Sequence, residues 1–208
     1  MLAPEQLLLK YAEALDALKP PSAYTFQYTF AHHGAQPIES DHQIFREGPR
    51  ERDEIVSFNG ERLKRPEVRI FPQHRDRYAV QALAPRLETY AFTFEGAFKQ
   101  GRNIVYVFNA YARGTPAYEV TRLVIDGTTF LPLEIDFHTK LGTIEGTGKV
   151  TYAKTEHYWM PQTASARAAV RGSFESENIA WSHYQFYPAL PPSTFAEPRA
   201  AATSRPDS

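Results

Sequence analysis

The sequence predicts a mainly β protein, a long antiparallel meander of about eleven strands with one N-terminal helix packed on it. Three observations lead there. Apolar residues recur at helical spacing only in the first twenty positions. From Ala23 onward the period changes to two. Turn signals such as Asn59-Gly60 and Asp126-Gly127 then recur at short intervals, without the alternation of strand and helix that a parallel sheet requires.

Pro4, Glu5 and Gln6 read as a helix start, because proline is tolerated at the first helical position and acids suit the first turn. Leu7, Leu8, Tyr11, Leu15 and Leu18 form one apolar stripe, and Pro20-Pro21 ends it. Tyr24, Phe26, Tyr28 and Phe30 then share one strand face, with Thr25, Gln27 and Thr29 on the other. Gly34 to Pro37 turn the chain into a second strand through His42, Ile44 and Arg46. Asn59-Gly60 predicts a hairpin between 54–58 and 61–63. Strands are expected at 78–83, 87–94 and 104–111, and Asp126-Gly127 predicts a tight hairpin joining 118–125 to 128–138. Strands at 149–155, 163–171 and 179–187 complete the meander. Pro132 lacks a ladder donor and predicts a bulge or an edge. One domain over 1–195 is expected, followed by a Pro/Ala/Ser tail at 196–208 without fixed structure.

Fourteen Phe and twelve Tyr in 208 residues suit half-buried pleated surfaces. A net charge of -1 with interspersed signs leaves no basic footprint for nucleic acid. With no cysteine, disulfides, thiolate nucleophiles and Cys-ligated zinc are excluded. Glu5, Lys10, Glu13 and Asp16 interrupt any apolar signal-peptide core, and no stretch is apolar for the ~18 residues that span a bilayer.

The candidate chemistry is sparse. Glu134, Asp136 and His138 share a strand face and could divide acid and base roles, but Leu133, Ile135 and Phe137 pointing inward make them a solvated face. His32 and His33 face opposite ways, and His42 lies too far along the ladder from His33 to share a metal ion. Alternation likewise separates Ser182 from His183. Neither a nucleophile elbow nor a phosphate-cradling glycine loop is present. No catalytic residue, metal site or cofactor is therefore expected. The mixed charges of 46–69 read as a solvated hairpin with cross-strand pairs. Ile104, Tyr106 and Phe108 on one face, with Val105 and Val107 on the other, predict a strand covered on both sides.

Three local features carry a family resemblance: the run Val124 to Leu133 (VIDGTTFLPL), Tyr158-Trp159-Met160-Pro161, and a closing strand 179–186 before Leu190-Pro191. With the helix-then-meander order, the chain resembles the superfamily of the periplasmic lipoprotein carriers LolA and LolB and the envelope-stress regulator RseB. The resemblance implies a strongly curved half-barrel sheet whose concave face holds an apolar cavity, in a periplasmic or otherwise exported protein whose signal peptide has been removed. It further implies a non-enzymatic protein that takes a lipid or acylated lipoprotein. Phe26, Tyr28, Phe92, Phe94, Tyr106 and Phe108 are the ligand-binding residues expected on that face. The carriers close their cavity with more helices than the one legible here. The alternative is a protein-interaction or envelope-stress sensor module with a filled core and a protein partner.

Overall fold

In the computed structural model, which describes residues 2–141, 144–170 and 172–196, Pro4 opens helix α1 (Pro4–Ala17) at its first position. Gln6 Oε1 accepts a bond from the Ala3 amide at 3.2 Å, and the helix stops before Pro20-Pro21. Leu7, Tyr11 and Leu15 are its buried stripe, at the spacing the sequence predicts.

Eleven strands follow in one antiparallel sheet: β1 (Ala23–His33), β2 (Ile38–Glu47), β3 (Arg50–Phe58), β4 (Glu61–Phe71), β5 (Tyr90–Gln100), β6 (Asn103–Ala112), β7 (Tyr118–Asp126), β8 (Pro132–Leu141), β9 (Ile144–Thr155), β10 (Tyr158–Val170) and β11 (Ser173–Tyr187). The order across the sheet is β4-β3-β2-β1-β11-β10-β9-β8-β7-β6-β5. The sheet is therefore open, with β4 and β5 at opposite edges although they are consecutive in sequence. Residues 72–89, which join them, must cross the molecule, and they do so over the face that carries α1. We call this segment the strap and that face the inner face. A short helix, α2 (Val80–Leu83), lies within the strap.

Register places one row of side chains across almost the whole inner face. Phe94, Phe108, Leu123, Ile135, Val150, Ala164, Ile179, Phe30, Ser40 and Phe58 follow one another as cross-strand partners. At the β5–β10 side this row packs under α1 and under Val80, Leu83 and Ala84 of the strap, forming the main core. A second apolar cluster gathers Tyr24, Phe26, Ile44 and Met160. On the outer face Val105, Val107 and Val124 make a small third cluster with Leu133, so β6 is covered on both sides as predicted.

Several sequence expectations change. Residues 78–83 are not a strand; they turn into α2, because the strap crosses the sheet and never joins its ladder. β4 runs on to Phe71 through Pro66, which an edge strand tolerates. Asn59 (φ 49°) and Gly60 (φ 82°) form the predicted two-residue hairpin. Asp126-Gly127 instead opens a five-residue loop, in which Asp126 Oδ1 accepts from the amides of Thr128 and Thr129 at 3.0 and 2.7 Å. Gly127 is required there by close approach: its amide donates to Ile104 O at 2.8 Å, and a Cβ would collide with that carbonyl. The expected irregularity at Pro132 is present as a register shift, with Val124 opposite Glu134 and Ile125 opposite Pro132. Of the tail at 196–208, only Ala196 lies among the described residues.

Candidate functional site

The inner face is filled at one end and hollow at the other. Two cavities lie beneath the strap. The first, about 300 Å³, is walled by Leu18, Pro21, Tyr24, Trp159, Met160 and the strap residue Ala79. The second, about 270 Å³, is walled by Phe26, Tyr28, Phe30, Ile179, Trp181 and the strap residue Tyr78. Arg46, His74 and Asp76 line both, so one polar cluster divides them.

That cluster is built around Arg46, which is 8% exposed. Its guanidinium donates to Glu51 of β3, to Asp76 of the strap and, at 2.9 Å, to the Tyr24 hydroxyl. It also lies over the rings of Tyr24 and Phe26. Burial pulls the Arg46 pKa down, but Tyr24, Asp76 and Glu51 outweigh it and hold it above its ordinary value, so the cation persists. His74 is pushed below the usual imidazole range, first by burial and then by Arg46, while Glu51 acts the other way and is outweighed. A neutral ring fits its contacts: Nε2 accepts from Arg46 Nη2 at 3.1 Å, and Nδ1–H points at Glu51 at 3.2 Å. Asp76 Oδ1 meanwhile caps the strap's turn, accepting from the amides of Tyr78 and Ala79 at 3.1 Å each.

The strap is tied down elsewhere too. His74 N donates to Pro49 O at 2.7 Å, Tyr152 Oη to Tyr78 O at 3.0 Å, and Tyr11 Oη of α1 to Pro85 O at 2.8 Å. The cover over the inner face is thus α1 plus the strap.

This corrects the reading of 46–69 as a solvated hairpin. Arg46, Glu51 and Asp53 are buried on the inner face; the expected cross-strand pairing is present in Glu47–Arg50 and in the buried Arg46–Glu51, while Arg69–Glu67 is an exposed pair within β4. Asp53 belongs to a second buried group: His42 Nδ1 lies 2.7 Å from Asp53 Oδ1 and 3.0 Å from the Tyr28 hydroxyl, and Nε2 lies 2.9 Å from Ser40 Oγ. The order Ser–His–Asp is that of a nucleophile relay. Ser40, however, is 6% exposed and is ladder-paired on both sides, to Phe30 and Phe58, which leaves no turn at the serine to present amides to an oxyanion. The group satisfies buried polar atoms beside the second cavity.

All six predicted ligand residues lie on the inner face, in two separate places. Phe26 and Tyr28 line the second cavity, with ring centroids 6.5 Å apart. Phe92 and Phe94 pack on Phe108 at 6.4 and 5.1 Å in the α1-covered half, where Tyr106 also lies. Phe108 has no exposed surface, and its role there is packing. Sequence reasoning passed over Trp159, Ile179, Trp181, Tyr78 and Arg46. The alternation of Ile179 and Trp181 on the closing strand was a readable signal, while nothing local marks Asp76 as the partner of Arg46.

Glu134 and Asp136 sit on the outer face in an ion-pair lattice with Arg122 and Lys149, and Glu134 is 3.0 Å from Arg122. Burial, then Glu134, raises the Asp136 pKa, and among the described residues its Oδ1 has no hydrogen-bond partner. Ser182 and His183 do meet at 2.9 Å, because His183 takes a positive φ (55°) at a bulge; both are exposed. Among the described residues, no group of three His, Asp or Glu is placed to hold a metal ion, and no helix is long and apolar enough to cross a membrane.

The sequence matches no protein-family model and no curated protein. Solved structures do match. A putative outer membrane lipoprotein-sorting protein domain from Vibrio parahaemolyticus is 14% identical over 92% of this chain and 96% of its own, with a TM-score of 0.51. A LolA superfamily protein from Nitrosomonas europaea is 13% identical over 95% of this chain and 99% of its own, with a TM-score of 0.47. At these identities the likeness to the Vibrio domain is one of fold.

Proposed function

We propose that this protein is a non-enzymatic carrier or binder of a lipid or acylated ligand in the bacterial cell envelope, taking acyl chain beneath the strap on the inner face. The observation that carries this reading is the pair of aromatic-walled cavities under a tethered cover, on a fold shared with a lipoprotein-sorting domain. The aromatic and aliphatic walls suit an acyl chain, whose burial contributes roughly 25 cal/mol per Å², and the charged residues that share the lining suit a polar head. A periplasmic location follows from the same reading.

The chain's two tryptophans make the test specific, because Trp159 lines the first cavity and Trp181 the second. Phospholipid with brominated acyl chains is expected to quench both the Trp159→Phe and the Trp181→Phe protein far more than the same concentration of bromide salt. Quenching no stronger than by the salt would overturn the reading. It would favour a protein-interaction or envelope-stress sensor module, a role supported by the filled half of the inner face, where Phe108, Leu123, Ile125 and Ile135 have no exposed surface.

A further inference from the structure

Three arginines and three carboxylates line the second cavity, but they do not pair one to one. Glu51 and Asp76 are both taken by Arg46. Arg75 and Arg77 also line this cavity, and among the described residues neither pairs with a carboxylate. Arg77 is held in place all the same: Nη1 donates to the Tyr118 hydroxyl at 3.2 Å, and its guanidinium lies 5.7 Å from the Tyr78 ring centroid. That leaves most of its five donors free. Glu177 is the remaining acid of the lining; it is exposed and faces His32 at 3.7 Å.

The cavity is also small. At about 270 Å³ it falls just below the ~300–1,000 Å³ common for ligand sites, so it takes one chain segment and not both chains of a phospholipid. Its apolar lining is Phe26, Tyr28, Phe30, Ile179 and Trp181.

From these features we infer that the second cavity selects a single alkyl chain carrying an anionic head, with the chain among the aromatic rings and the head on Arg75 and Arg77. A carboxylate and a phosphate monoester share the required chemistry, since the planar guanidinium fork binds either through paired, charge-assisted bonds. This rests on the acyl-binding reading above and adds the head group to it.

The test uses four ten-carbon probes of equal chain length: decanoate, decyl phosphate, decanol and decyltrimethylammonium. Binding is followed by Trp181 fluorescence in the Trp159→Phe protein and by calorimetry. One or both anions are expected to bind roughly tenfold tighter than decanol, and the preference is expected to vanish in Arg75→Gln/Arg77→Gln while decanol binding is unchanged. Preference for decanoate alone would identify a carboxylate head, and preference for decyl phosphate alone a phosphate. Equal binding of all four, or an anion preference that survives the double substitution, overturns the head-group assignment and leaves acyl binding standing. Binding by none of them overturns both.

Discussion

Replacing Arg46 with Met is expected to destabilise the protein by about 3–5 kcal/mol, because it leaves Glu51 and Asp76 facing one another without the cation that compensates them. In a chain of this length each kcal/mol shifts the thermal midpoint by about 2–4 °C, so the midpoint should fall by roughly 10 °C. The Glu51 side chain is only 7% exposed and cannot simply turn into solvent. Hydrogen exchange should rise first in the strap, whose amides at Tyr78 and Ala79 depend on an Asp76 held in place. The compensated variant Arg46→Met/Glu51→Leu/Asp76→Asn removes the charges together and should regain most of the loss. An Arg46→Met protein that melts with the wild type would mean that this cluster does not hold the strap.

The second large effect belongs to Gly148. It lies opposite Phe137 in the β8–β9 ladder, and the Phe137 ring, 4% exposed, covers the space where a side chain would be. A Cβ at 148 would overlap Phe137 Cζ and come within 2.9 Å of the Ser165 carbonyl oxygen on the other side. The ring could move, but the backbone oxygen in the β9–β10 ladder cannot move independently. Gly148→Val should therefore cost about 3 kcal/mol, through overpacking and loss of the Phe137 seat against Tyr118 at 5.4 Å. Chemical denaturation would read this directly. Gly114, where a Cβ meets nothing within 4 Å, is the control, and Gly114→Ala should leave stability nearly unchanged. If the two substitutions behave alike, the close packing of Phe137 on Gly148 is wrong.

Most of the scaffold is legible in the sequence, because local pattern and tertiary burial agree there. Leu7, Tyr11 and Leu15 fall on one helical stripe and are the residues α1 buries. Tyr24, Phe26, Tyr28 and Phe30 alternate and all reach the inner face. The strap was not legible. Tyr78 to Leu83 contains residues that suit a strand, and only the separation of β4 and β5 to opposite edges shows that this segment cannot pair. Its buried positions, Val80, Leu83 and Ala84, follow from lying across the core.

The site was half legible for a related reason. Alternation assigns Phe26 and Tyr28 to a face correctly, but it cannot distinguish a cavity wall from a filled core. Phe108 has the same pattern and is wholly packed. Arg46 looked like one charge among many, since Glu51 sits on the neighbouring strand and Asp76 on the far-running strap. Glu51 is the cross-strand hairpin partner the pattern allows, but the pairing with Asp76, on a segment outside the ladder, leaves no periodic trace.

Acyl chain in the hollow half of the inner face would leave a mass signature. Native mass spectrometry of protein purified without detergent, followed by solvent extraction, tests for it most directly. A stoichiometric lipid adduct is expected, and a reduced one in a folded Ile179→Trp variant whose added ring fills the second cavity. A clean apo mass, with no uptake from added phospholipid or acylated peptide, would contradict it.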